Sequence, residues 1–154
     1  MNTALKLLIA AACLLLTTPV LAAPYTLSPD GTEVTDSKTG LTWRRCSEGQ
    51  TWNGTTGTCT GIALAYTHEQ ALARAQTQTG WRLPDVKELA SLADRSPGNP
   101  AIDPTVFPGA VSSWYWSSSP FSGISSSAWV VNFANGLVSY YSRSLYQSYV
   151  RLVR

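Results

Sequence analysis

The sequence predicts an α+β domain in which two helices pack on a small antiparallel sheet. Alternating apolar residues over 128–133 and 137–142 indicate two strands. Asn135-Gly136 between them is the strongest short-range hairpin signal, because a tight type I′ turn needs positive φ at both positions. Two earlier segments carry helix-capping patterns followed by apolar stripes. The chain has 154 residues, a length that suits one domain.

Residues 1–22 are typical of an export signal. Met1–Lys6 carries one positive charge, and the unbroken apolar run Leu7–Leu16 is too short to span a bilayer. The small residues before Ala23 fit a cleavage site after Ala22, with cleavage after Ala23 as the second choice. The alternative is an uncleaved membrane anchor. With cleavage, we expect a periplasmic, cell-surface or secreted protein that has no integral membrane span.

Cysteine content and charge narrow the class of protein. Cys13 belongs to the predicted signal, which leaves Cys46 and Cys59, and paired cysteines in an oxidising compartment usually form a disulfide. Two cysteines and one histidine are too few for a four-ligand zinc site. Charged residues make up only 13% of the chain, against about 25% in an average domain. The formal net charge of +2 argues against non-specific nucleic-acid binding.

The first part of the exported chain is predicted to be extended and irregular. Residues 23–33 are expected to form an extended lead-in, and 34–154 the domain. Short alternating runs at 34–36 and 41–44 predict a hairpin. The stretch 46–61 is rich in threonine, glycine and asparagine and predicts an irregular loop tied by the disulfide.

Two helices are predicted to follow this loop. The first starts at Thr67, which forms a capping-box pattern with Gln70, and Gly80 is expected to end it. The second starts at Asp85, with Glu88 as its reciprocal partner. These two carboxylates are interpreted as caps rather than as catalytic groups, because capping engages them with backbone N–H groups.

Four blocks in a fixed order resemble one known family. They are the pattern GWRLPxxxEL over 80–89, the aromatic run over 114–119, the strand pattern over 128–136 and the terminal segment 149–154. Together they resemble the Lcl C-terminal domain family, the C-terminal domain of the Legionella collagen-like adhesin. The segment 46–52 also resembles the disulfide loop of that family. The resemblance covers nearly all of the predicted mature chain.

The resemblance implies a C-type-lectin-like fold, distantly similar to the formylglycine-generating enzymes. It also implies an adhesin-like role, which in the named adhesin is associated with glycosaminoglycan binding and trimers. This chain has no Gly-X-Y collagen stalk, and no cysteine follows Cys59, whereas the enzymes use cysteines in that part of the domain. The calcium-binding triplets of C-type lectins are absent from the sequence. We therefore expect no catalytic residue, cofactor or metal.

The aromatic residues of the last third are candidates for ligand binding. Trp114 and Trp116 share one face of a strand, because side chains alternate along it. An exposed aromatic ring can stack on a sugar ring, whereas the alternative is that both tryptophans belong to the core. Tyr140, Arg143 and Tyr146 predict a polar–aromatic surface of the kind that antibodies use. The alternative for these three is an ordinary polar sheet face.

Several arginines are candidates for an anion site if the two termini of the domain pair in the sheet: Arg44, Arg45, Arg143, Arg151 and Arg154. Guanidinium groups bind sulfate and carboxylate through two parallel hydrogen bonds. The favoured alternative is dispersed charges that pair with Asp36 or Glu48. His68, in the first turn of a helix, is expected at the surface.

These observations predict an exported, non-catalytic module that binds a carbohydrate or another surface ligand, as an adhesin does. One alternative is an interaction or assembly domain of the cell envelope, and another is an enzyme related to the formylglycine-generating enzymes. The sequence leaves the ligand and the oligomeric state open. The predicted ligand-binding residues are Trp114, Trp116, Tyr140, Arg143, Tyr146 and Arg151.

Overall fold

The computed structural model describes residues 24–94 and 99–154. The predicted export signal, residues 1–22, lies outside these described residues, so its cleavage stays a prediction. The elements in chain order are β1 (Tyr25–Leu27), β2 (Glu33–Asp36), β3 (Thr42–Arg44), β4 (Thr51–Asn53), β5 (Thr58–Thr60), α1 (His68–Gln76), α2 (Val86–Ser91), β6 (Trp114–Pro120), β7 (Ser127–Asn132) and β8 (Val138–Ser142).

The strands form three small antiparallel sheets. The first has the order β1-β2-β3, the second pairs β4 with β5, and the third has the order β6-β7-β8. The two helices have only nine and six residues. Neither is long or apolar enough to cross a membrane, which holds for residues 24–94 and 99–154. The described chain is therefore mostly β.

The predicted fold class, two helices packed on one small sheet in a C-type-lectin-like α+β domain, was wrong. The strands divide into three sheets, and irregular segments supply much of the core that the helices were expected to supply. Ile102 and Phe107 come from the connection after α2, and Val150, Leu152 and Val153 come from the C-terminal segment. Alternation along a strand indicates which residues face a core, but not which strands join one sheet.

The helix starts were predicted correctly because they are local. Thr67 accepts a hydrogen bond from the Gln70 N–H, and Asp85 accepts from the Glu88 N–H; both capping boxes are complete. The first helix, however, ends at Gln76 and not next to Gly80. Its buried stripe is narrow, which explains why a helix of this length adds little to the core.

The third sheet is buried on both faces near its centre. Tyr115 and Val131 point into a core that also holds Leu89. Trp116 and Val130, one residue further along each strand, point into a second core on the opposite face. Successive residues of a strand face opposite ways, so this single sheet separates two apolar clusters.

The β7–β8 connection differs from the predicted type I′ turn. No described residue other than glycine has positive φ, so Asn135 does not adopt the conformation that such a turn needs, whereas Gly136 has φ 72°. The Leu137 carbonyl accepts from the Asn132 N–H at 2.8 Å and closes a longer loop. Phe133 lies in this loop and is buried, so its insertion into the core favours the longer connection.

The predicted disulfide between Cys46 and Cys59 is confirmed. It ties the chain just after β3 to β5, and the loop predicted as irregular contains the short second sheet. The C-terminal segment lies alongside: Thr42 and Arg154 exchange backbone hydrogen bonds at 3.0 and 2.9 Å, and the Arg44 N–H donates to the Leu152 carbonyl. The end of the domain is therefore fixed to its first sheet.

Removing the disulfide is expected to destabilise the protein. In Cys46→Ser/Cys59→Ser the free energy of unfolding should fall by about 3 kcal/mol, because the bridge closes a loop with a sequence separation of 13. Urea unfolding of the oxidised protein and of the double variant measures the difference. Reduced natural protein is the control and should match the variant. An unchanged unfolding midpoint would contradict the prediction.

Candidate functional site

The aromatic run at the start of β6 is divided between the core and the surface. Trp116 is fully buried, and its indole Nε1–H donates to the Tyr66 carbonyl at 2.8 Å. Tyr115 is also fully buried, on the other face. Trp114 is only half-buried. Of the two tryptophans predicted to bind ligand, Trp116 therefore has no open side toward solvent, and Trp114 retains one.

Trp114 forms the base of an aromatic platform with two tyrosines. The Tyr141 ring stands edge-on to Trp114, with centroids 5.1 Å apart. The Tyr146 ring stacks on Tyr141 at 4.7 Å with an interplanar angle of 26°. Tyr146 is 51% exposed. We call Trp114, Tyr141 and Tyr146 the tyrosine platform; its outermost ring is held nearly parallel to the ring beneath it.

Arg143, from the loop that carries Tyr146, is held by a buried histidine. Its Nε–H donates to His68 Nδ1 at 3.0 Å, and His68 Nε2 lies 2.9 Å from the Ser117 carbonyl. Because arginine only donates, Nδ1 must accept, so Nε2 carries the proton and the ring is neutral. His68 is 1% exposed, contrary to the surface position expected from the sequence. Burial, with a further contribution from the Arg143 charge, lowers the pKa of His68.

Tyr140 lies on the opposite face of the sheet from the tyrosine platform. Its ring stacks on Phe121 with centroids 3.9 Å apart, and Trp129 stands edge-on to both rings. Because Tyr140 and Tyr141 are successive residues of β8, they face opposite ways. The structure therefore does not bring Tyr140 together with Tyr146.

Arg151 is completely buried and is a structural residue. Its guanidinium donates to the carbonyls of Arg44 at 2.8 Å and Arg45 at 2.6 Å, and to Ser47 Oγ at 3.2 Å. The Phe107 ring lies 4.7 Å from the guanidinium carbon. No carboxylate of the described residues forms an ion pair with it. Burial lowers the pKa of Arg151, since the charge has lost its hydration.

The remaining arginines of the predicted anion site are also engaged. Arg44 and Arg154 both place a guanidinium carbon 4.9 Å from the Trp81 ring centroid. Arg44 lies 3.7 Å from the carboxylate of Glu48, and Arg154 pairs with a carboxylate of β2. Arg45 donates to three backbone carbonyls. The favoured alternative, internal pairing, describes these arginines better than an open anion site.

A cleft of about 400 Å³ lies beside the second sheet. Glu48 lines it and is nearly buried, where it accepts from Arg74 Nε at 2.7 Å. Trp52 also lines it, with the Arg45 guanidinium 4.3 Å from its ring centroid. The charged groups of this cleft neutralise one another, so it offers a ligand few unpaired charges.

The carboxylates considered for catalysis serve the fold. Asp85 caps α2, and Glu88 accepts from both the Asp85 N–H and the Arg82 guanidinium. The hydrogen bond from Arg82 holds the pKa of Glu88 below its ordinary value. Across 24–94 and 99–154, no three His, Cys, Asp or Glu side chains come together as a metal-binding group.

Sequence reasoning missed three parts of these surfaces: Tyr141, His68 and the pair formed by Phe121 and Trp129. The signal for Tyr141 was present, since a strand that exposes Tyr140 on one face must direct Tyr141 to the other. Nothing local to His68 indicates its burial, because its partners Ser117 and Arg143 are distant in the sequence.

A comparison with protein-family models matches residues 32–154 to the Lcl C-terminal domain. A search of curated proteins finds no match. The matched region contains both aromatic surfaces, the disulfide and the buried arginine.

Truncating Arg151 is expected to unfold rather than to disarm the protein. In Arg151→Ala the carbonyls of Arg44 and Arg45 lose their donors, and the free energy of unfolding should fall by about 3 kcal/mol or more. Arg82→Ala, which removes an exposed ion pair with Glu88, is the control and should cost about 1 kcal/mol or less. Urea unfolding measures both. Natural stability in Arg151→Ala would contradict the structural role.

Stability is expected to fall in mild acid because of His68. The unfolded chain takes up a proton near the ordinary imidazole pKa of 6.5, whereas the folded protein resists protonation until lower pH. The unfolded state therefore binds more protons between the lowered pKa and 6.5, and the free energy of unfolding decreases as the pH falls through this window. Urea unfolding across the window measures the slope. His68→Gln should flatten it, and an equal slope in the variant would contradict the prediction.

Proposed function

The chain belongs to the Lcl C-terminal domain family, and from this membership we propose that it is an exported, non-catalytic binding module of adhesin type. Its proposed ligand is a carbohydrate that stacks on the tyrosine platform. Export rests on the signal pattern of residues 1–22, and the ligand class rests on the geometry of the platform. The family match spans the whole platform.

The exposed ring of Tyr146 is the observation that carries the proposal. Its inner face is occupied by Tyr141, which in turn rests on Trp114, so the outer side of the stack is the one open to a ligand. A sugar ring has an apolar face of axial hydrogens that packs on an aromatic ring, and a phenol hydroxyl adds a hydrogen bond. A ring already fixed by stacking loses little conformational freedom when it binds.

The charge distribution favours a neutral sugar over a sulfated chain. Arg143, the arginine closest in sequence to Tyr146, uses its Nε–H on His68. Arg44 and Arg154 pair with glutamates, and Arg151 is buried. A polyanion site needs guanidinium groups that are free to form paired hydrogen bonds with the ligand. The near-neutral chain adds no strong long-range attraction for a polyanion.

The engagement of the reactive side chains supports a role without catalysis. Both cysteines of the described residues form the disulfide, so neither is a free thiol nucleophile. Asp85 and Glu88 spend their oxygens on the α2 cap and on Arg82. His68 is buried between Arg143 and Ser117 and does not reach the surface as a general base.

Ligand binding is expected to depend on Tyr146. Titration with soluble monovalent oligosaccharides, neutral and sulfated and at two salt concentrations, should give salt-insensitive binding to neutral sugars. Tyr146→Ala should weaken that binding roughly five- to tenfold, because an aromatic stacking contact contributes about 1 kcal/mol. Isothermal calorimetry or the fluorescence of Trp114 reports the binding.

Tyr140→Ala is the matched control, because Tyr140 is a tyrosine of similar exposure on the opposite face. It should bind as the natural protein does. Equal losses in the two variants would remove the platform from the proposal. Salt-sensitive binding to sulfated sugars alone would move the site to the arginines, and no binding to any glycan would favour a protein partner in the cell envelope.

A further inference from the structure

Strand β8 forms one edge of the third sheet, and its outward backbone groups are unpaired. The hydrogen bonds Asn132 N–H to Leu137 O and Arg143 N–H to Ser126 O fix the pairing pattern at the two ends of the β7–β8 ladder. Hydrogen-bonded pairs alternate along an antiparallel ladder, so the N–H and C=O of Val138 and Tyr140 point away from β7. None of the residues in 24–94 and 99–154 bonds to these groups.

This edge has none of the devices that usually protect an edge strand. Strand β8 contains no proline and no charged residue, and its register with β7 is continuous. Natural edge strands are commonly blunted by lysine, proline or a bulge, because an open edge is a template for another strand. The residues are also ones that favour β structure, valine and two tyrosines among them.

Apolar side chains are exposed on and beside the same strand. Val138 and Tyr140 are 38% and 42% exposed, and Leu137 and Leu145 at the two ends are 51% and 81% exposed. Contiguous exposed apolar surface commonly marks an interaction site. The unpaired backbone specifies the form of the partner, since only an extended strand matches its alternating donors and acceptors.

We propose that β8 pairs antiparallel with β8 of a second copy, so that two third sheets join into one continuous sheet in a symmetric dimer. With the two-fold axis at Tyr140, this residue pairs with its own counterpart, and Val138 pairs with Ser142 of the second copy. The pattern of outward donors and acceptors is therefore self-complementary, as a two-fold interface requires. No charges meet across the strand pair, because β8 carries none.

The second copy also extends the aromatic cluster on that face. Tyr140 already stacks on Phe121 at 3.9 Å, and the pairing places the two Tyr140 rings side by side between two Phe121 rings. Cross-strand aromatic pairs are a recurrent stabilising contact in antiparallel sheets. Tyr141 and Tyr146 lie on the other face, so the tyrosine platform stays open. The proposal is independent of the proposed ligand and stands or fails without it.

Sedimentation equilibrium of the processed protein, purified without ligand over a concentration series, tests the pairing. Natural protein should approach the mass of two chains. Val138→Pro removes an N–H that faces the second copy and not β7, so the internal ladder is preserved while the dimer is lost. Tyr140→Lys, which places a charge against its own counterpart, should also give a single-chain mass. Ile62→Lys, at a loop residue that is 80% exposed, is the matched control and should remain dimeric.

A single-chain mass for the natural protein at every concentration would overturn the proposal. A dimer that persists in both Val138→Pro and Tyr140→Lys would also overturn it, because the contact would then lie elsewhere. If Val138→Pro does not fold, as circular dichroism will tell, Tyr140→Lys alone decides between these outcomes. A loss of dimer in Ile62→Lys equal to that in Tyr140→Lys would assign the effect to added charge and reject the strand pairing.

Discussion

A guanidinium ion without access to water is the constraint on which the structure is built. Arg151 carries its charge in the interior and satisfies it with the carbonyls of Arg44 and Arg45 and the hydroxyl of Ser47. Ser47 also bonds to the Tyr115 hydroxyl at 2.8 Å. This short network joins the C-terminal segment, the end of the first sheet, the disulfide region and the third sheet. A buried charge demands such partners, so any rearrangement of these segments would leave it unsatisfied.

The surfaces that face solvent depend on this interior indirectly. Tyr115 and Trp116 anchor β6 in two separate cores, and this fixes the half-buried Trp114 beside them. Trp114 then supports Tyr141, and Tyr141 supports Tyr146. The platform is thus the last layer of a stack that begins inside the protein. Its rigidity comes from packing, although its outer members lie on an edge strand and a loop.

The sequence predicts the local features of this protein much better than its non-local ones. The caps at Thr67 and Asp85 need only neighbours three residues away, and so does the pattern of an alternating strand. The burial of Arg151 depends on carbonyls more than 100 residues distant, so it reads from sequence as a surface charge. The loop at Asn135 follows the burial of Phe133 rather than its own turn preference. Sheet membership depends on long-range pairing in the same way, which is why the fold class was predicted wrongly.

The alternation of β8 has an evolutionary consequence. Its odd-numbered position 141 supports the platform, whereas its even-numbered positions 138 and 140 carry the open edge and the opposite aromatic cluster. Substitutions can therefore change one surface while leaving the other intact, and the two can diverge at different rates among relatives. An insertion or deletion of one residue inside the strand would exchange the two sets at once. We expect relatives to vary in this strand by substitution and to keep its length.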